Sequence, residues 1–257
     1  MVTRPAHQAA PLCALIRAAG GEPLLLPALD IVPPADLAPA RTLFARLAEF
    51  DIALFISANA VEQAAPLIAE AGGLPAALRL AAVGRRSAEA LRERFGRVDI
   101  AGPPPYNSEA LLDTAALQQV AGARILIVRG AGGRELLADT LRARGAEVDY
   151  AEVYRRAEPR HDLDAMLKLN PRAAIDAIVV TSNDALLNLL NMAGENQRAW
   201  LLNTQLAVIS PRTADLAREL GFHHAALVAA QASDVALVAA LAAWRQTHPL
   251  RLRTDHE

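Results

Sequence analysis

The chain repeats itself at a spacing of 125 residues. VTRPAHQAAPLCALIRAAGGEPLLLP, from Val2 to Pro27, is answered by IVRGAGGRELLADTLRARGAEVDYAE, from Ile127 to Glu152. Arg4 falls on Arg129 (129 − 4 = 125), and Gly20 falls on Gly145. FDIALFISANAV matches IDAIVVTSNDAL, with Ser57 on Ser182 at the same offset. LAAVGRRSAEAL matches LAVISPRTADLA, with Gly84 on Ser210 after one residue of slippage. YNSEALL matches QASDVAL, with Ser108 on Ser233. A period this long exceeds any solenoid unit and equals a small α/β domain. The repeat therefore predicts two similar domains, with a cleft between them as the first place to look for function.

Composition narrows the function classes. The chain has 257 residues, 53% hydrophobic and 21% charged, as a globular protein does. Its net charge of −2 supplies no bulk attraction to nucleic acid or to a membrane surface. Lys168 is the only lysine, so arginine carries nearly all the positive charge. Genomic base composition explains that bias, and so does a need for fork-shaped donors that grip carboxylates or phosphates. Cys13 stands alone, which excludes a disulfide framework or a cysteine metal site and fits a reducing cytoplasm. No apolar run approaches the ~18 residues of a membrane span, and no signal-peptide core opens the chain.

Along the chain, short apolar runs alternate with helical stripes. Leu12, Leu15, Ile16 and Ala19 mark a helix that Pro5 starts and Gly20-Gly21 stops. Pro23 to Leu26 reads as a strand, Arg124 to Val128 as another, Arg134 to Arg144 as a helix, and Val148 to Val153 as a strand. Ile52 to Ile56 and Ile178 to Val180 suit strands covered on both faces. Each is followed by a polar triplet, Ser57-Ala58-Asn59 or Thr181-Ser182-Asn183, of helix-capping character. Asn59 and Glu62 have capping-box spacing, and Ser210-Pro211 reads as a cap followed by a first-turn proline. Ala225 to Ala243 reads as strand, loop and helix, and the polar chain from Arg245 onward as a tail. Strand-helix alternation predicts an α/β fold with parallel sheets flanked by helices. Ligands of such sheets bind beyond the carboxyl ends of the strands, where the triplets lie.

Few motifs carry chemistry alone. Arg129-Gly130-Ala131-Gly132-Gly133-Arg134 is either an anion cradle of backbone N–H groups or a plain turn. It matches neither the dinucleotide fingerprint nor a P-loop. Ser57, Ser108, Thr181, Ser182, Asn183 and Ser210 are each explained as caps, yet together they set donors at several strand ends. No serine sits in a nucleophile elbow. His223-His224 has no acidic or cysteine partner at metal-ligand spacing. Tyr154, one of three tyrosines, reads from sequence alone as a surface or linker residue.

VTRPxxQAxxL, FISANAV, AVGRRSAEAL, PPPYNSEALL, ILIVRGAGGRELLADTLRARGAEV, EVYRR and VVTSNDALLNLL, in this order, resemble the uroporphyrinogen-III synthases from Val2 to about Leu241. The resemblance implies two similar α/β lobes joined by a two-stranded linker. One lobe would comprise residues 1–32 and 163–257, the other 38–158, with linkers at 33–37 and 159–162. It implies a lyase that cyclises hydroxymethylbilane to uroporphyrinogen III with inversion of ring D, for haem and sirohaem biosynthesis. No metal and no organic cofactor would take part. Tyr154 and Thr181 would be catalytic, with Tyr154 donating to the departing hydroxyl. Arg4, Ser57, Asn59, Gly84, Ser108, Arg129, Arg134, Ser182, Asn183 and Ser210 would contact substrate. A cytoplasmic monomer is implied, in transient contact with hydroxymethylbilane synthase and with neither nucleic acid nor membrane. The chain departs from the family pattern at its short opening MVTRP and at Ile56, where a threonine is usual. Two rival classes are a non-catalytic two-lobed module that binds a polyanion or tetrapyrrole, and a nucleotide-binding receiver. The receiver would need clustered acidic residues, which are lacking.

Overall fold

A computed structural model of the chain describes residues 1–133, 135–159 and 175–248. It divides into two compact units, Ile31–Arg156 and Met1–Asp30 with Ala157–Glu257. Arg134 and the stretch Arg160–Ala174, which holds most of the expected second linker, lie outside the described residues.

The continuous unit is built on six strands: β1 (Asp30–Val32), β2 (Ile52–Phe55), β3 (Arg79–Ala82), β4 (Ile100–Ala101), β5 (Arg124–Gly130) and β6 (Glu147–Ala157). Their order is β1-β6-β5-β2-β3-β4, and the pairs from β6 through β4 are parallel. Successive side chains of β2 point to opposite faces. Ala53 and Phe55 enter a core with Phe44, Leu80 and Val128. Ile52 and Leu54 enter a second core with Ile125, Ile127 and Leu141. All four residues are buried, which is why the run is apolar without alternation. Each such large side chain contributes roughly 1.5–3 kcal/mol over leaving it exposed.

Helix α1 (Ala6–Ala18) belongs to the discontinuous unit. The continuous unit carries α2 (Ala38–Phe44), α3 (Ala58–Glu70), α4 (Arg85–Phe95), α5 (Ser108–Leu112), α6 (Ala115–Gln118) and α7 (Leu136–Ala143). After α1 the discontinuous unit continues with β7 (Ala177–Val180), α8 (Asn183–Asn191), α9 (Glu195–Leu202), β8 (Gln205–Val208), α10 (Pro211–Glu219), β9 (Leu227–Val228) and α11 (Asp234–Thr247). Strands β7, β8 and β9 are parallel neighbours in that order.

The duplication is visible in the pairing register. In the continuous unit Leu54 pairs with Ile127, and Ile127 with Tyr150. Subtracting or adding 125 turns these into Val2 with Val179 and Val2 with Leu25, and both bridges are present. Helix ends follow the same rule. Gly145 N–H donates to Arg142 and Ala146 N–H to Leu141, as Gly20 does to Arg17 and Gly21 to Ile16. Gly145 and Gly20 have φ of 85° and 81°, a conformation that closes a helix at low cost only for glycine.

Several local expectations are corrected. Pro23 to Leu26 contributes a single bridge at Leu25 rather than a strand. Ser57, not Asn59, caps α3, accepting from Ala60 N–H. Asn107, not Ser108, caps α5, accepting from Ala110 N–H. Asparagine and serine cap almost equally well, so adjacent candidates are hard to rank from sequence. The helix α11 runs through Arg245 to Thr247, where a polar tail was expected. Cys13 is buried, as its place on the apolar stripe implies.

Candidate active site

In the continuous unit the C-terminal strand ends gather the residues of interest. The strand β2 delivers Ser57 to the start of α3, β3 delivers Gly84 to the start of α4, and β5 runs into the glycine-rich turn. Tyr154 comes from the far part of β6. It is 2% exposed, so the reading as a surface or linker residue fails. Its ring packs in the core with Phe55, Ala151 and Val153. Its hydroxyl lies 3.0 Å from Ser57 Oγ. Ser57 Oγ already accepts from Ala60 N–H at 3.1 Å. It keeps its own proton and a second lone pair, so either hydroxyl can donate to the other. The pair sits on the N-terminus of a 13-residue helix, whose dipole favours negative charge there.

Arg129 is buried and encircled. Its guanidinium meets Glu135 at 3.0 Å and Glu152 at 3.6 Å, and lies 4.4 Å from the centre of the Tyr150 ring. Tyr150 donates to Glu135, and Gly132 N–H donates to Glu152 at 3.2 Å. A carboxylate of the chain itself thus occupies one donor of the turn read as an anion cradle. The hydrogen bond from Tyr150, then that from Arg129, hold the Glu135 carboxyl below the ordinary carboxylate range. Burial, then the bond to Glu135, push the Tyr150 phenol up to about 12.

A pH dependence follows. Because the Glu135 value is lowered on folding, its contribution is full above the ordinary value of 4.5 and fades as pH falls through the folded value. The stability gap between the wild type and Glu135→Gln, read by urea unfolding, is expected to be widest near neutral pH and to close in acid. A gap that stays constant with pH contradicts this role for the charge.

The discontinuous unit carries the repeat-related positions. Ser182 caps α8 through Ala185 N–H, Ser210 caps α10 through Thr213 N–H, and Ser233 caps α11 through Ala236 N–H. Thr213 Oγ1 donates to Asn183 Oδ1 at 2.9 Å and lies 3.0 Å from Ser210 Oγ. Thr181 stands between the end of β7 and the Ser182 cap. Arg4 is buried and binds Asp234 through two bonds of 2.8 Å. The repeat image of Tyr154 is Leu29, a core residue of this unit. Ser182 therefore has no tyrosine at the repeat-equivalent place.

Thr213, Asp234, Glu135 and Glu152 were not singled out by the sequence. Asp234 lies 230 residues from Arg4, and Thr213 thirty from Asn183, so no local pattern announces those pairs. Among the described residues no group of three or more His, Cys, Asp or Glu could hold a metal ion, and no helix is long and apolar enough to cross a membrane.

Parallel α/β sheets with hydroxyls and helix N-termini at their carboxyl ends define a class of ligand-binding α/β proteins whose strand ends suit anionic groups. A family model described as HEM4, uroporphyrinogen-III synthase HemD, matches residues 10–239. The chain belongs to the uroporphyrinogen-III synthase family, cyclising lyases of tetrapyrrole biosynthesis. It is 38% identical to the uroporphyrinogen-III synthase of Salmonella typhimurium strain LT2, over 94% of this chain and 98% of that one. It is 36% identical to the Escherichia coli K12 protein of the same name, with the same coverage. Its fold is similar to the crystal structure of uroporphyrinogen-III synthetase from Helicobacter pylori 26695, with a TM-score of 0.61, 17% identity, and 86% and 92% of the two chains covered. A mutant uroporphyrinogen III synthase from Thermus thermophilus gives a TM-score of 0.60 at 22% identity, covering 95% and 96%.

Proposed function

We propose that this chain closes hydroxymethylbilane to uroporphyrinogen III and that Tyr154 supplies the proton for the first step. The Tyr154–Ser57 hydroxyl pair is the observation that supports the assignment most directly. Tyr154 protonates the ring A hydroxyl, the C–O bond breaks, and water departs while the pyrrole nitrogen lone pair forms the azafulvenium cation. Ser57 and the α3 N-terminus stabilise the phenolate that remains. Ring D then attacks through its substituted carbon, and the resulting spiro intermediate reopens and recloses with ring D inverted. The proton lost on reclosure balances the one that Tyr154 gave.

Thr181, with Ser182 and Asn183 beside it, is assigned to hydrogen bonding of the reacting rings. Asn59, Gly84, Ser108 and Ser210 lie at helix starts, where backbone N–H groups suit the substrate carboxylates. Arg134, outside the described residues, is assigned to the same role. Arg4 and Arg129 enter this reading differently. Their forks are held by Asp234 and by Glu135 with Glu152, so their contribution is to brace the strand ends. The substrate closes without help to the uninverted isomer, so orientation matters more than strong acid-base catalysis. The lobes at 1–32 with 163–257 and at 38–158, a cytoplasmic monomer, and a transient contact with hydroxymethylbilane synthase belong to the same reading.

Incubation with hydroxymethylbilane, followed by separation of the product isomers, tests it. The inverted isomer III is expected. Formation of the uninverted isomer alone, at the rate without protein, would instead favour a non-catalytic binding module.

A further inference from the structure

A regular strand would turn Tyr154 away from Ser57. Along β6, Val148 and Tyr150 pack toward the core of Ile125 and Ile127, while Ala151 and Val153 enter the core of Phe55. Strict alternation would send Tyr154 to the face of Tyr150. It lies instead with Ala151 and Val153. The pairing with β5 shows the reason. Arg129 pairs with Glu152, but the next partner of Gly130 is Tyr154, so the register slips by one residue at Val153. Such a bulge sets two residues against one and re-aims the side chain that follows.

The slip places the Tyr154 ring over Gly130. A Cβ at position 130 would stand 2.5 Å from Tyr154 Cε2, 2.6 Å from Cζ and 3.0 Å from Cδ2. These are atoms of a buried ring, not the loose end of a flexible chain. Gly130 is not among the positive-φ residues, so its need for glycine comes from close approach rather than backbone conformation. The first copy lacks the whole device. The repeat image of Gly130 is Pro5, which precedes α1, and that of Tyr154 is Leu29.

We infer that Gly130, together with the bulge at Val153, is the positioning residue that brings the Tyr154 hydroxyl onto Ser57 and so into the reaction. The inference rests on the assignment of Tyr154 as the proton donor. Gly130 touches no reacting atom. It acts by leaving room for the ring at the one place where the hydroxyl reaches the α3 N-terminus. Any side chain there pushes the ring along or out of the sheet and separates the two hydroxyls.

The test is a double-mutant cycle in the full chain, with Gly130→Ala, Tyr154→Phe and the double variant assayed for isomer III formation. Gly130→Ala is expected to lower kcat by roughly ten- to a hundredfold, the scale of an ångström-level misplacement, with KM little changed. In the Tyr154→Phe background the same substitution should add almost nothing, because the displaced ring no longer carries the hydroxyl. A purely structural role would give losses that multiply. Multiplying losses, or a full-rate Gly130→Ala, overturn the inference and leave the role of Tyr154 standing. A full-rate Tyr154→Phe overturns that role, and the inference falls with it. Should Gly130→Ala fail to fold, Gly130→Ala with Tyr154→Ala must restore folding, since the ring supplies the three nearest contacts. Failure of that pair to fold overturns the inference as well.

Discussion

Tyr154→Phe is expected to lower kcat by about a hundredfold or more while the fold persists, the usual span for loss of a positioned general acid. The ring stays, so its packing against Phe55 and Gly130 is kept. Ser57 keeps its bond from Ala60, so the cap of α3 survives. Loss of the one hydroxyl contact costs about 1 kcal/mol of stability, too little to unfold a domain. Rate and stability should therefore separate, with kcat from the isomer III assay and Tm from circular dichroism. A variant at full rate would remove the donor role and leave substrate folding as the main contribution.

Arg4→Leu is expected to have the largest effect on stability, about 3 kcal/mol or more, because removing one member of a buried pair leaves the other charge desolvated without its main counterion. Arg4 is 4% exposed and binds a side chain that is itself 13% exposed. Asp234 lies in the first turn of α11, so the helix dipole offsets part of that cost. Urea unfolding of Arg4→Leu, Asp234→Leu and the double variant measures the effect. The double variant should be more stable than the sum of the single losses implies, because no charge is left behind. Additive losses would show that Arg4 acts through its packing rather than through the pair.

Much of the scaffold could be read before any coordinates. Apolar runs such as IALF and IVV, each followed by a capping triplet, mark parallel strands feeding helices, and they do so here at Phe55–Ser57 and Val180–Ser182. The 125-residue offset carries further, because it predicts which residues pair across the sheet. What escaped was whatever depends on contacts distant in sequence. EVYRR contains nothing to indicate that Val153 is an extra residue, so the face of Tyr154 was hidden. The ion partners of Arg4 and Arg129 escaped too, since Asp234 and the Glu135–Glu152 pair become their neighbours only in the folded chain. Adjacent polar residues at Ser57–Asn59 and Asn107–Ser108 left the identity of the cap open for a different reason. Several side chains there have nearly the same capping energy.

The bridge between Val2 and Val179 bears on how the molecule comes together. Thr3 reaches across 176 residues to the Val179 carbonyl, at the same joint. Closing a loop of that length costs on the order of 4–5 kcal/mol of chain entropy, by logarithmic scaling. The unit from Ile31 to Arg156 lies wholly inside the loop. Once it is compact its ends no longer wander independently, the flexible part of the loop shrinks to about fifty residues, and the cost falls by roughly 1 kcal/mol. The continuous unit thus shortens the loop that must close when the discontinuous one assembles. Val2, Ala9 and Leu12 find their core partners Val179, Ala207 and Leu237 only on the far side of that loop.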